Sequence, residues 1–129
     1  MSHFVKHECL GLEDSGLLSQ TLDDMGIKHE RGTDLAIKGW GSTKDHVEIA
    51  IRRGAFGNSY DAGFKRNKNG GLELTSEDMD GKFNNKWIDS VKQAYNRRKA
   101  LNIAKRNGYT LTKERKVAGK VQLTFSAGR

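Results

Sequence analysis

The clearest pattern of apolar and polar positions in the chain is a helical stripe within residues 83–109. Stepping about 100° per residue from Trp87 collects apolar side chains on one face and leaves charged side chains on the others. The helix is expected to end at residues 107–108. Lys105 and Arg106 come just before, and their positive charges suit the negative end of the helix dipole. The pattern predicts a long amphipathic core helix. Its apolar stripe consists of Phe83, Trp87, Val91, Ala94, Tyr95 and Leu101, widened by Ile88.

Two further elements are predicted near the start of the chain. Residues 2–11 alternate imperfectly between apolar and polar side chains, which favours a first strand. Asp14 and Ser15 can cap a short helix that Gly26 ends. The face of this helix expected to be buried carries Leu17, Leu18, Leu22 and Met25.

The middle of the chain shows the period of two that is typical of strands. Residues 27–30 and 35–38 are expected to be extended on either side of a turn at 31–34. A second turn is expected at 39–42. Residues 46–51 alternate cleanly and predict a half-solvated strand. One face of that strand would carry Val47, Ile49 and Ile51.

A β-hairpin is the next predicted feature. Asn69 and Gly70 form the strongest short hairpin signal in the chain and would join a strand at 60–66 to one at 72–75. An acidic turn is predicted at 76–81, leading into the long helix.

A last pair of strands is predicted at 109–112 and 121–125, joined by the basic segment 113–116. The order of elements indicates an α+β fold, in which one short and one long helix pack on one face of an antiparallel sheet. No linker or low-complexity stretch interrupts the chain, so residues 1–129 are expected to form a single domain.

Charge is distributed unevenly along the chain, which carries a net charge of +7. Residues 1–81 contain ten Lys and Arg against fourteen Asp and Glu, a net of −4, whereas residues 82–129 contain thirteen against two, a net of +11. This asymmetry favours a surface for an anionic partner. It is equally compatible with an acidic first part that folds against the basic second part and neutralises it.

The candidate binding surface centres on Arg98, which lies only about 20° from Trp87 on the helical wheel. Three outcomes are open: the helix leaves the core there, the side chain extends to solvent along its stem, or it meets a carboxylate from the acidic first part. We predict that Arg98 lies where the helix emerges from the core and that, with Arg97 and Lys99, it forms the centre of the surface. The whole predicted surface consists of Lys92, Arg97, Arg98, Lys99, Lys105, Arg106, Lys113, Arg115 and Lys116.

The sequence offers little support for metal or catalytic chemistry. His3, His7 and Cys9 share one face of the first predicted strand, but such neighbours are about 7 Å apart and do not easily converge on one ion. Residues 78–81 carry only a fragment of a calcium loop. The sequence has no phosphate-binding glycine loop and no nucleophile elbow. We therefore predict no metal, no cofactor and no catalytic residue.

A series of short landmarks spans nearly the whole chain. They lie at residues 1–4, 25–27, 60–64, 72–74, 93–95, 107–109 and 121–123. With these landmarks the chain resembles a family of small proteins encoded by the hypothetical chloroplast open reading frame thirty-five and by cyanobacteria and other bacteria. The family is a domain of unknown function, so the resemblance implies a fold and no catalytic residues. The basic segment 82–129 and the run at 96–98 depart from the family pattern.

These observations predict an intracellular, non-secreted protein. The chain has no apolar stretch of about 20 residues, its start lacks the apolar core of a signal peptide, and its single cysteine fits the cytoplasm or plastid stroma. The favoured function is a small soluble basic adaptor or assembly factor that binds an acidic protein partner, without catalysis. One alternative is a non-sequence-specific nucleic-acid-binding protein that uses residues 82–120, although Trp87 and Tyr95 lie on the predicted core stripe. An uncharacterised enzyme is the second alternative.

Overall fold

The computed structural model describes residues 4–9, 11–41, 43–77 and 81–127, and within these ranges the chain forms two helices and seven strands. This mixture confirms the α+β class. In chain order the elements are β1 Phe4–Glu8, α1 Ser15–Asp24, β2 Glu30–Lys38, β3 Lys44–Ile51, β4 Ala62–Arg66, β5 Leu72–Glu77, α2 Asn85–Arg106, β6 Tyr109–Val117 and β7 Lys120–Ala127.

Five strands form an antiparallel sheet in the order β1-β5-β4-β3-β2. The predicted hairpin joins β4 to β5, and Gly70 adopts a φ of 84° that favours glycine. Both helices pack on one face of this sheet, as predicted. The core between them contains Ile49, Ile51, Phe64, Leu72 and Leu74 from the strands and Leu18, Leu22, Trp87, Val91 and Tyr95 from the helices.

The core stripe predicted for the long helix is confirmed over the first half of α2. The helix begins where the side-chain oxygen of Asn84 accepts a hydrogen bond of 2.9 Å from the backbone N–H of Trp87. Leu101 is only half-buried and Ala104 is buried, so the buried face shifts along the second half of the helix. The buried residues of the stripe are Phe83, Trp87, Ile88, Val91 and Tyr95.

The short helix α1 begins and ends as predicted. The Asp14 carboxylate caps it by accepting a hydrogen bond of 3.0 Å from the backbone N–H of Leu17. Gly26 follows the helix with a φ of 73°, a left-handed conformation that glycine adopts without strain. Leu18 and Leu22 are buried against the sheet, as expected.

The turn predicted at residues 31–34 is wrong, because these residues lie inside β2. The pairing of β2 with β3 shifts register between Arg31 and Leu35, where β2 contains extra residues. The polar run at 32–34, which resembles a turn in sequence, interrupts the pairing without reversing the chain.

The strand predicted at residues 46–51 is confirmed as part of β3, but its outer face is solvated only near its start, since His46 is exposed and Glu48 half-buried whereas Ala50 is buried. Ile49 and Ile51 enter the core under the helices. Val47 instead packs in a second, smaller cluster with Ile37 and Ala50. The strand therefore contributes buried side chains to two clusters, which a single alternating face does not predict.

Two predicted connections are strands in the structure. Ser76 and Glu77, assigned to the acidic turn, end β5 and are buried. Residues 78–80 of that turn, with most of the calcium-loop fragment, lie outside the described residues. The basic segment 113–116 lies inside β6, which continues to a turn at residues 118–119.

The last two strands form a separate two-stranded antiparallel sheet. Their turn consists of Ala118 and Gly119, whose φ values of 50° and 78° are typical of a type I′ hairpin. The hairpin packs on α2, which also contacts the larger sheet where Trp87 stacks on Phe64. The long helix therefore connects the two sheets.

Candidate functional site

A groove lies between the second half of α2 and the β6–β7 hairpin. Its volume is about 560 Å³. The apolar residues that line it are only half-buried, so the hairpin presents apolar surface that the fold does not fully cover. The lining includes the apolar Ala100, Val121, Leu123 and Phe125 and the cationic Arg97 and Lys120.

The register of the hairpin decides which of its predicted site residues face this groove. Directly opposed residues of antiparallel strands lie on the same face. Lys116 opposes Val121 and therefore shares the groove face. Arg115 opposes Gln122 and donates a hydrogen bond of 3.2 Å to its side-chain oxygen. Arg115 and Lys113, two residues earlier, therefore lie on the outer face.

Arg97 links the long helix to the hairpin. Its guanidinium donates two hydrogen bonds, of 2.6 and 2.9 Å, to the carboxylate of Glu114 in β6. This bidentate contact raises the pKa of Arg97 and lowers the pKa of Glu114. Much of the charge of Arg97 is therefore committed within the chain.

Arg98 meets a carboxylate from the acidic first part of the chain, one of the three open outcomes. Its guanidinium donates hydrogen bonds of 2.7 and 2.8 Å to Asp24 at the end of α1. One turn further on, Asn102 donates a 2.9 Å hydrogen bond to Gln20 of α1. Arg98 therefore joins the two helices, and α2 continues past it to a buried Ala104.

The remaining predicted site residues are spread along α2. Lys99, Lys105 and Arg106 are exposed, and Lys92 is half-buried. The nine predicted cations thus fall on several faces of α2 and the hairpin. Their role in binding stays a prediction.

The aromatic residues of the basic segment differ in their accessibility. Trp87 and Tyr95 are buried in the core, as their place on the stripe predicts. The Tyr95 hydroxyl accepts a hydrogen bond of 3.2 Å from the backbone N–H of Asp14. Tyr109, at the start of β6, is 49% exposed. Of these three rings, only Tyr109 is accessible to a partner.

A second candidate site lies at the loop between β2 and β3, where Trp40 is 54% exposed. A cavity of about 330 Å³ there is lined by Trp40, Lys38, Arg53, Tyr60 and Asp61, among others. Sequence reasoning assigned this loop only as a turn. The signal that it overlooked is a tryptophan flanked by two glycines, Gly39 and Gly41, outside any apolar pattern.

Cys9 and His29 have structural surroundings. Burial raises the pKa of the Cys9 thiol, which disfavours the reactive thiolate. The His29 ring donates from Nδ1 to the Ile27 carbonyl at 2.8 Å, and its Nε2 shares a hydrogen bond of 2.7 Å with the Ser19 hydroxyl. This contact ties α1 to the start of β2.

His3 lies outside the described residues, so the strand face that it was expected to share with His7 and Cys9 is only partly described. Within the described part of the chain, no three His, Cys, Asp or Glu side chains are grouped so that they could hold a metal ion. Neither described helix combines the length and apolar character needed to cross a bilayer.

The fold and these surfaces define a small α+β protein with candidate binding surfaces on its second sheet and on one loop of its first. The chain belongs to a sequence family described as a protein of unknown function, DUF1257, whose pattern matches residues 21–124. The match runs from α1 to β7. Comparisons with curated proteins and with solved structures found no match.

Proposed function

We propose that this protein is a small basic adaptor or assembly factor that binds an acidic, amphipathic segment of another protein in the groove between α2 and the β6–β7 hairpin. The observation that carries the proposal is the half-buried apolar surface of Val121, Leu123 and Phe125, beside positive charge. Apolar surface supplies affinity, and complementary charge supplies the choice of partner and the rate of encounter.

The hairpin itself supports an occupant for the groove. A two-stranded hairpin is marginally stable in water, and the apolar face of this one is only partly covered by α2. A segment laid along that face would remove more of its apolar area from water, at about 25 cal/mol per Å².

The charges around the groove favour an acidic occupant. Lys116 and Lys120 are exposed, and within the described residues neither side chain has an ion-pair partner. Arg97 is neutralised in part by Glu114, so these two lysines supply the larger share of the uncompensated charge. An acidic segment would neutralise them, whereas a basic segment would be repelled.

A labelled peptide can test the proposal by fluorescence anisotropy. The probe is an amphipathic peptide of about 15 residues, long enough for helix formation, with leucines on one face and glutamates on the other. The control peptide has lysines in place of the glutamates. We expect the acidic peptide to bind and its affinity to fall as salt rises.

Paired variants locate the binding site. Leu123→Lys places a charge in the groove, whereas Gln122→Lys adds the same charge to the outer face of the hairpin. The first should abolish binding of the acidic peptide, and the second should leave it intact or slightly stronger. Lys116→Gln combined with Lys120→Gln should weaken binding and flatten its dependence on salt. Equal affinity of the Leu123 and Gln122 variants, or of the acidic and basic peptides, would contradict the proposal.

We also propose a relationship to one group of proteins within the family and a cellular compartment. The landmarks at residues 25–27, 60–64, 72–74 and 107–109 support kinship with the chloroplast open-reading-frame proteins. The single cysteine, buried as Cys9, supports a reducing compartment such as the cytoplasm or a plastid stroma.

A further inference from the structure

We propose that the β2–β3 loop forms a nucleotide-binding site, in which a base stacks on the indole of Trp40 and its phosphate lies against Lys38, Lys44 and Arg53. This site is separate from the groove beside α2 and does not depend on the function proposed for that groove. The proposal rests on an exposed aromatic ring, a set of uncompensated cations and a backbone held firmly in place.

The exposure of Trp40 is the first observation. Tryptophan carries one of the largest apolar surfaces of any side chain and is usually well buried, yet this ring is 54% exposed. Trp87, the other tryptophan of the chain, is 8% exposed in the core. The Trp40 ring forms one wall of a cavity of about 330 Å³, and Tyr60 also lines that cavity. Planar aromatic walls favour a flat ligand such as a base.

The charges beside the ring are the second observation. Lys38 and Lys44 oppose each other across the last pair of the β2–β3 ladder. Like charges in that position destabilise a sheet, and within the described residues neither ammonium has an ion-pair partner. Arg53 is exposed and lines the same cavity. Lys38 and Arg53 line the cavity, and Lys44 lies opposite Lys38 in the ladder; together these cations supply the positive charge that a phosphate requires.

The anchoring of the loop is the third observation. Glu77 is 1% exposed, and its Oε2 accepts a hydrogen bond of 3.0 Å from the backbone N–H of Trp40. A side chain at Gly39 would overlap the same carboxylate oxygen, so only glycine permits this approach. The Gly39 N–H also donates to the Thr43 carbonyl at 2.9 Å. The backbone is thus fixed while the indole is left exposed, which lowers the entropy lost on binding.

One carboxylate, that of Asp61, also lines the cavity. Its oxygens are engaged in hydrogen bonds within the chain. Its oxygens accept hydrogen bonds from the backbone N–H groups of Lys38 and Arg53, at 3.1 and 2.9 Å. They accept a third, of 3.2 Å, from the guanidinium of Arg52. The negative charge of Asp61 is therefore partly neutralised by the donors in the walls of the cavity, which it holds in place. The cations then determine the charge that a phosphate would meet.

A nucleotide explains these features better than a protein segment does. An exposed tryptophan also anchors many protein interfaces, but such anchors are typically surrounded by packing residues that exclude water. Here the neighbours that line the cavity are glycines, a second aromatic ring, cations and the polar Ser59 and Asp61. Base stacking with phosphate neutralisation uses this combination, and it tolerates any base sequence.

Intrinsic fluorescence provides a direct test, because Trp40 and Trp87 differ so strongly in exposure. The protein is titrated with uridine monophosphate and with an oligouridylate of about ten nucleotides, within the site sizes of single-strand-binding proteins. We expect quenching of the exposed tryptophan by one or both probes. If the mononucleotide quenches the fluorescence and binds as tightly as the oligonucleotide, the ligand is a free nucleotide. If the oligonucleotide binds more tightly, the ligand is a single strand.

Variants of the loop then separate stacking from charge. Trp40→Phe should remove the quenching and keep most of the affinity measured by anisotropy of a labelled oligonucleotide. Trp40→Ala should weaken binding by roughly 5- to 150-fold, the range expected for loss of one stacked base. Lys38→Gln with Lys44→Gln should lower the slope of log affinity against log salt by about 0.7 for each phosphate that is no longer neutralised.

Lys68→Gln removes an exposed charge from the turn between β4 and β5, outside both proposed binding surfaces, and serves as the matched control. It should leave the affinity unchanged. Circular dichroism of each variant confirms that the fold is retained. The proposal is overturned if neither probe binds, if Trp40→Ala binds the oligonucleotide with the parent's affinity, or if Lys68→Gln weakens binding as much as the loop variants do.

Discussion

Replacement of Trp87 by alanine is the most direct test of how this fold is held together. Trp87 lies at the centre of an aromatic cluster, with ring centroids 5.1 Å from Phe83, 5.6 Å from Phe56 and 6.2 Å from Phe64. These contacts join α2 to the loop after β3 and to β4. Trp87→Ala therefore removes the side chain through which the long helix meets the sheet.

The expected loss of stability follows from that packing. Truncation of a buried tryptophan to alanine costs about 3–5 kcal/mol, which includes about 0.5–1.5 kcal/mol for each well-oriented aromatic pair. A single domain has a total stability of about 5–15 kcal/mol, so the variant approaches the limit of folding. For a chain of this size each kcal/mol shifts the melting temperature by about 3 °C or more, which predicts a drop of roughly 10 °C or more.

The indole nitrogen of Trp87 allows a sharper comparison. Within the described residues its Nε1–H is buried and has no hydrogen-bond acceptor. A buried unpaired donor costs about 1–3 kcal/mol, so Trp87→Phe loses ring area but also removes this penalty. We expect the free energy of unfolding of Trp87→Phe to lie within about 2 kcal/mol of the parent's. This variant should therefore be clearly more stable than Trp87→Ala.

The assay is thermal and urea unfolding followed by circular dichroism, with Trp40→Ala as an exposed control that changes stability by less than about 0.5 kcal/mol. If Trp87→Ala melts within a few degrees of the parent, the aromatic cluster does not hold α2 to the sheet. If Trp87→Phe is as unstable as Trp87→Ala, the smaller ring area outweighs the unpaired donor, and the reasoning about Nε1 is wrong.

Three further predictions test individual contacts. A double-mutant cycle of Arg98→Ala and Asp24→Ala should give a coupling of about 1 kcal/mol in unfolding experiments, and zero coupling would show that the pair adds nothing. Burial disfavours ionisation of Asp45, but hydrogen bonds from Lys65 and other donors outweigh it and lower the pKa. The stability that ionised Asp45 contributes is therefore present above pH about 4, and it is lost as the pH falls through the lowered folded-state pKa. Asp45→Asn should destabilise the protein at pH 7 by about 1–3 kcal/mol, and unfolding curves should converge with the parent's at acid pH. Ala118→Asn should stabilise the hairpin by about 0.5–1 kcal/mol, because asparagine suits the positive φ of a type I′ turn; a lower melting temperature would refute this.

The elements with strong local signals are the ones that sequence reasoning predicted correctly. The long helix has an apolar stripe and a stop at residues 107–108, and the β4–β5 hairpin has its Asn69 and Gly70 pair. The errors lie where tertiary pairing overrides local polarity. Residues 31–34 and 113–116 are polar and resemble connections, yet each is held in a strand by its neighbour.

The candidate sites were harder to predict because they depend on which face a residue occupies. The sequence placed Arg97 and Arg98 together at the centre of a binding surface. The structure turns them in different directions, to Glu114 on the hairpin and Asp24 on α1. Trp40 belongs to no periodic pattern, so its exposure follows only from the folded loop.

The paired and unpaired cations of this chain perform different tasks. Arg97 and Arg98 make bidentate contacts that hold α2 to the hairpin and to α1, so their replacement removes contacts within the fold as well as charge. Lys116 and Lys120 have no such partners within the described residues, and their replacement changes the surface alone. A variant of Arg97 that loses binding is therefore ambiguous, because the hairpin could shift. The lysine variants separate recognition from folding, and they are the ones that decide whether the basic surface is a binding site.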